Sequence, residues 1–452
     1  MARWRFLPKS VLGLIFSCLT PRQVVLAHLA STHWRACAFW RSLSVARRGE
    51  WVVSMCEPRQ VEALDLDDYA DVQLDQFKAL QRLQLRGGCA CLETVRSVHR
   101  QLVSLEIVSV FTVHLPRLDQ FAALHTLKIR GPIFRTGFPA IGSLKRLRSL
   151  WLDNLTCGDQ DIAHLRGLTA LTALHLMATT SGVSLEAFGK LLEAVGSRLR
   201  TLEVAAVELS DTSYVSAMCP SLRELIFEPQ ASTSFDRLAS LQHLQTLRVD
   251  SLFTRMSGPW CANLQALQLV SVQATVDLRC IGAFTRLEEL VLTSASLRDL
   301  QPLAGLRELR SLALIRNPLV DDSLLVVAGF SKLEELVLAK SFKLTDQALA
   351  HIAKLPLLRL LGLLALVKIT NAGLAHLTQM PRLKDLCVHK CRRVTMKGML
   401  PLRALKLACL VLDDKFKNHR DQLLLSTRVC TELPMQFERF FKVHSTCSES
   451  CC

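Results

Sequence analysis

Aromatic side chains are scarce in this 452-residue chain, 6% of the total with only two tyrosines. An interior built here must therefore be aliphatic and layered. No stretch reaches the roughly 18 uninterrupted apolar residues of a membrane span; the longest, Leu355 to Val367, is broken by Arg359. Arg3 and Arg5 ahead of Val11–Leu19 imitate a secretory leader, but the apolar run is short and Thr20-Pro21-Arg22 offers no small-x-small exit. Sixteen cysteines are present, yet C-x-x-C is missing and no dense cysteine cap brackets the chain. Cys157, Cys219, Cys261 and Cys280 stand singly, which predicts small buried apolar groups in a reducing compartment, cytoplasm or nucleus. Catalytic signatures are also lacking. Gly189-Lys190 has no upstream phosphate-loop glycines, and neither H-E-x-x-H nor G-x-S-x-G occurs. Cys387-Val-His389-Lys-Cys391 has ligand types, but alternate residues on a strand followed by a turn do not close a zinc site. The chain is expected to be non-enzymatic, with no metal and no cofactor.

Charge is distributed unevenly. Residues 1–50 hold eight Lys/Arg against one acid, residues 380–452 fourteen against seven, and residues 51–379 hold 33 against 32. The net charge of +15 thus belongs to the two ends. A nucleic-acid binder needs a basic stripe along its reading surface with aromatics for stacking. That pattern is missing, so no nucleic-acid partner is expected.

What is present is one phrase repeated sixteen times between Val61 and Leu412: apolar, two variable residues, Leu, one variable residue, apolar. Leu80-Gln-Arg-Leu83-Gln-Leu85, Leu147-Arg-Ser-Leu150-Trp-Leu152 and Leu333-Glu-Glu-Leu336-Val-Leu338 are clear copies, spaced 19 to 28 residues apart along the chain. A fixed period of this length marks a leucine-rich-repeat solenoid, in which each unit buries its leucines only against its neighbours. Each phrase predicts a short parallel strand with its leucines in the core. Between phrases, Ala348, Leu349, Ile352 and Leu355 have helical spacing, behind N-cap candidates Thr345 and Asp346 and ahead of the stop Pro356. The 28-residue unit from Leu171 predicts a fuller helix around 185–195, whereas Gly131 to Pro139 predicts an irregular loop. The fold class is α/β: a leucine-rich-repeat horseshoe solenoid, parallel strands on its concave face and helices or irregular segments on its convex face. The solenoid occupies 51–412, with a C-terminal cap and flexible tail at 413–452.

Residues 5–48 read as a small three-helix module. Leu12, Ile15, Phe16 and Leu19 share one helix face. Thr20-Pro21-Arg22-Gln23 forms a capping box that opens a second helix, and Ser31-Thr32 starts a third holding Trp34, Ala38 and Trp40. Three helices in so few residues cannot bury all these side chains among themselves, so part of the apolar surface needs the repeats or another protein. The opening Leu7-Pro8, then Ile15-Phe16-Ser17-Cys-Leu19, then Val24-Val-Leu-Ala-His-Leu29, and His33-Trp34-Arg35 with a late Trp40, resemble an F-box over residues 6–45. Ser341-Phe-Lys-Leu-Thr-Asp346, Leu366-Val-Lys-Ile-Thr-Asn371 and Cys391-Arg-Arg-Val-Thr395 are similar to the Cys-x-x-Ile-Thr-Asp turn of F-box/leucine-rich-repeat proteins, Cys standing only in the last. That resemblance implies a substrate receptor of a Skp–cullin–F-box ubiquitin ligase. The module would dock on the Skp-type adaptor, and through it the cullin ligase subunits, while the repeats hold a protein target. Carried over by position, the adaptor contacts would be Leu7, Pro8, Leu12, Ile15, Phe16, Leu19, Val25 and Trp34. The rival reading is a plain leucine-rich-repeat interaction scaffold with no ubiquitin-ligase role.

A target site is sought in the middle variable column of the strands. It runs polar from Gln84 to Gln268, apart from Trp151 and Ile226, then turns apolar at Val291, Ala313, Val337, Gly362, Cys387 and Val411. Flanking columns add Ile315, Leu360 and Leu364. These positions are expected to face solvent, and a continuous exposed apolar patch marks a binding site for a target segment or the chain's own tail. On that reading, charge placed at Val337 or Gly362 abolishes target capture and leaves the fold intact. Trp151, in the polar half, is a second candidate anchor.

Overall fold

The computed structural model describes residues 42–45, most of 61–250, 263–270, most of 278–413, and the short stretches 416, 428–430 and 435–440. It divides into two compact units, Met1–Glu208 and Leu209–Cys452.

In the first unit the described strands are β1 (Ser42–Val45), β2 (Ala63–Asp67), β3 (Arg82–Arg86), β4 (Ser104–Val108), β5 (Thr126–Arg130), β6 (Ser149–Leu155), β7 (Ala173–Ala178) and β8 (Thr201–Asp211). They pair in sequence order, all parallel. The register sets Leu64, Leu83, Leu105, Leu127, Leu150, Leu174 and Leu202 side by side, every one of them buried. The spacing Leu-x-apolar puts two side chains of each strand on one face, because successive residues alternate across a strand. Each fully buried Leu contributes about 1.5–3 kcal/mol. Parallel neighbours cannot be joined by a tight turn, so the chain returns through short helices at Gly137–Gly142, Asp159–Ala163 and Leu185–Val195.

The second unit holds β9 (Glu224–Ser234), β10 (Thr246–Asp250), β11 (Ala266–Val270), β12 (Glu289–Thr293), β13 (Ser311–Ile315), β14 (Glu335–Ala339), β15 (Leu360–Leu364), β16 (Asp385–His389), β17 (Cys409–Leu412) and β18 (Arg428–Cys430). These too are parallel and pair in order, with a second leucine ladder from Leu225 to Leu410. Return helices lie at Ser213–Met218, Leu278–Gly282, Leu324–Ala328, Asp346–Ile352, Asn371–His376 and Met396–Met399. Parallel strands on a continuous aliphatic ladder, with helical or 3-10 returns wherever the connections are described, form a leucine-rich-repeat solenoid in either unit.

Several local expectations meet the structure closely. The helix at Leu185–Val195 starts behind Ser184, whose hydroxyl accepts from Ala187 N–H at 3.1 Å. Thr345 caps Asp346–Ile352 and Thr370 caps Asn371–His376. Others change. Gly131 to Pro139 is not wholly irregular, because Gly137–Gly142 is helical. Pro139 sits in its first turn, where a missing N–H leaves no bond unmade. The strand ladder also extends past the sixteen phrases, to β1 before them and β18 after them. Trp40-Arg-Ser-Leu43-Ser-Val45 obeys the phrase with an aromatic first residue, which disguised it. Strand β1 lies within the 5–48 span read as helical; the rest of that span is outside the described residues.

Consecutive helices of the second unit are coupled by a repeated polar clip. The Asp321 carboxylate accepts from Thr345 N–H at 2.8 Å and its hydroxyl at 2.6 Å. Asp346 does the same to Thr370, at 2.7 and 2.6 Å. Asn371 varies the clip: its Oδ1 accepts from Thr395 N–H at 2.9 Å while its Nδ2 donates to the Thr395 hydroxyl at 2.8 Å. A Cβ on Gly373 would stand 2.3 Å from Asp346 Oδ1, so the clip needs glycine there. Hydrogen bonds to a charged group contribute about 1.5–3 kcal/mol each in favourable settings. Asp346→Ala is therefore expected to destabilise the second unit by about 2 kcal/mol, seen as a lower urea midpoint; Asp322→Ala, one residue off the clip, is the control and should be near neutral.

Candidate functional site

Residues alternate across each strand, so the outward face of β12–β17 carries Val291, Ala313, Val337, Gly362, Cys387 and Val411 in adjacent register. Ile315, Ala339 and Leu364 form the next column on that face, and Leu360 and Cys409 lie in the column on the other side. The structure brings all nine apolar positions singled out in the sequence together here. It corrects one point: they do not face solvent. Ala313, Val337, Cys387 and Val411 are 0% exposed, and Val291, Ile315, Leu360, Gly362 and Leu364 are buried too. Strands β2–β5 alternate buried with half-buried or exposed residues, while β13, β15 and β17 are buried at every residue.

The cover includes a piece of the chain itself. Phe437 and Phe440 are buried in the same apolar cluster as this face. They belong to residues 435–440, which open with the short helix Met435–Glu438. Two polar contacts orient the segment. Gln436 Nε2 donates to Asp385 Oδ1 at 3.1 Å, and Arg439 pairs with Glu335 while stacking its guanidinium 4.6 Å from the Phe440 ring centroid. Glu335, Leu360 and Asp385 are register partners on β14, β15 and β16. The four residues from Gln436 to Arg439 thus cross two strand spacings, about 9–10 Å, with Leu360 between the polar contacts. Burial raises the Asp385 carboxyl above its ordinary range, partly opposed by the Gln436 donor. The Arg439–Glu335 pair is partly solvated and contributes at most about 1 kcal/mol. Burial of the two rings, about 1.5–3 kcal/mol each, supplies most of the attachment. This contact lay beyond sequence reasoning in detail, although Phe437 and Phe440 are conspicuous in an aromatic-poor chain.

Trp151 sits in the first unit within a different setting. Its ring stacks on His175 at 4.2 Å between centroids and 17° between planes. Lys128 Nζ lies 5.6 Å and Arg130 Cζ 5.9 Å from the Trp151 ring centroid. His175 Nδ1 in turn meets Glu203 Oε2 at 2.6 Å, both residues buried. Register alone produces the row, because Lys128, Trp151, His175 and Glu203 are successive partners. Trp151 is half-buried and its face is occupied, so its anchor role would have to use the remaining edge.

The solitary cysteines lie as their surroundings dictate. Cys157 and Cys219 are buried, and desolvation pushes their thiols up to about 11 and about 12; Cys280 is half-buried and Cys261 is outside the described residues. Among the described residues no group of His, Cys, Asp or Glu could hold a metal ion, and no helix is long and apolar enough to cross a membrane. The adaptor positions Leu7, Pro8, Leu12, Ile15, Phe16, Leu19, Val25 and Trp34 all lie outside the described residues.

A leucine-rich-repeat protein of Leptospira interrogans is similar at 17% identity over 82% of this chain and 96% of its own, with a TM-score of 0.44. An internalin (inlF) from Listeria monocytogenes is similar at 17% identity over 82% of this chain and 83% of its own, with a TM-score of 0.33. No family profile and no curated protein sequence matches the chain.

Proposed function

We propose that this protein is a non-catalytic recognition subunit whose repeats bind a protein target through the outward face of β12–β17. The observation that carries this reading is the unbroken apolar column from Val291 to Val411, polar at its flanks through Glu335 and Asp385. A sheet in a repeat solenoid needs apolar residues on its core side only. An apolar column on the other side is the chemistry of an interface. The F-box-like residues 6–45 supply the second half of the proposal: docking on a Skp-type adaptor, so that the target is presented to a cullin ubiquitin ligase.

The adaptor half is tested by co-purifying the full chain with a Skp-type adaptor. The adaptor should be retained by the unaltered chain and lost from Ile15→Asp combined with Leu19→Asp, with the melting temperature of the repeats unchanged. Failure of the unaltered chain to retain the adaptor, or retention by the double variant, overturns the ligase role and leaves a repeat scaffold.

A further inference from the structure

We infer that residues 435–440 occupy the recognition face as an internal stand-in for the target, and that the partner is a segment bearing two aromatic side chains three residues apart with a basic residue between them. The inference rests on the recognition role proposed for this face. Its chemistry is read from the seated segment. Phe437 and Phe440 fill the apolar cluster, and Arg439 faces Glu335 while Gln436 donates to Asp385. The flanking column of that face is acidic elsewhere too: Glu289 on β12 shares the register row of Glu335 and Asp385. An acidic flank beside an apolar floor selects against acidic segments and in favour of basic, aromatic ones. Gly362 sets the depth of the floor, since a Cβ there would stand 3.1 Å from Val337 Cγ2.

An internal occupant competes at the high effective concentration of a tethered group. The affinity of a partner is reduced by the fraction of molecules in which the face is closed. The segment is held by two rings and two partly solvated polar contacts, so a partner that repeats those contacts and adds its own can displace it.

The test titrates a fluorescent peptide copying residues 433–442 into the full chain, with anisotropy as readout. The unaltered chain should bind weakly. The full chain carrying Phe437→Asp with Phe440→Asp should bind at least tenfold tighter, and a peptide with both Phe replaced by Ala should not bind. Arg439→Glu leaves both rings in place and guards against misfolding of the double variant; it should raise peptide affinity at least threefold, and adding Glu335→Arg should reverse that gain. Equal affinity across all these chains overturns the inference, as does a folded double variant that ignores the peptide. Dimers formed by exchange of the segment between copies also overturn it, because the occupant would then be a second copy. Adaptor co-purification reads the N-terminal module independently, so a negative result in either experiment does not decide the other.

Discussion

Asn317→Leu is expected to lower the stability of the second unit by about 3 kcal/mol. Asn317 is 1% exposed and its amide serves four backbone groups. Its Oδ1 accepts from Ala295 N–H at 3.0 Å and Leu297 N–H at 3.5 Å, and its Nδ2 donates to Leu292 O at 2.9 Å and Ile315 O at 3.1 Å. Leucine preserves the volume but orphans backbone groups inside the repeat, each at about 1–3 kcal/mol. The equivalent position one turn after β16 is Cys391, whose thiol donates to Leu363 O at 3.4 Å and His389 O at 3.7 Å. A thiol is a weak donor, so Cys391→Ala should destabilise by under about 1 kcal/mol. Urea unfolding followed by circular dichroism separates the two. Equal midpoints for Asn317→Leu and the unaltered chain would remove the asparagine from any role in joining repeats.

These contrasts show which features were written locally. Leu309-Arg-Ser-Leu312-Ala-Leu314-Ile-Arg-Asn317-Pro-Leu319 fits the full leucine-rich pattern including its asparagine. The strands, their parallel order and the caps at Thr345 and Thr370 follow from spacing alone, since period and capping act over a few residues. The outward column from Val291 to Val411 was equally legible as a row. Its burial was not, because the segment that covers it is separated from β14 by about a hundred residues and shares no periodicity with it. Trp151 illustrates the same limit. Its neighbours Lys128 and His175 could be named from the register, but stacking at 4.2 Å depends on side-chain rotamers that no local pattern encodes. The first strand was missed for a smaller reason, one aromatic residue in place of an aliphatic one at Trp40.

Val337→Asp is the second large prediction, and burial changes its expected outcome from lost target capture alone to release of residues 435–440. Val337 is 0% exposed under that segment's cluster. Keeping an unpaired carboxylate there would cost several kcal/mol. Holding the segment in place returns less. Its two rings give about 3–6 kcal/mol together, and the backbone entropy lost on ordering the segment leaves a net hold smaller than that. The carboxylate therefore reaches water by the cheaper route, with the segment lifting away while Leu336 and Leu338 stay in the ladder on the opposite face. Cys387 and Cys409 report the event, as both are buried in that cluster. Desolvation raises the Cys387 thiol so strongly in the closed state that almost no thiolate is present to react. Modification by a thiol reagent, located by peptide mass mapping, should become at least tenfold faster at Cys387 and Cys409 in Val337→Asp. Cys219, buried at the repeat core with its thiol pushed up to about 12, should remain inert and so confirm that the ladder is intact. Protection of Cys387 in a folded Val337→Asp chain would mean that the face is closed by the sheet's own crowding and not by the segment. Simultaneous reaction of Cys219 would mean that the second unit unfolds before the segment lets go, placing the attachment above the stability of the repeats.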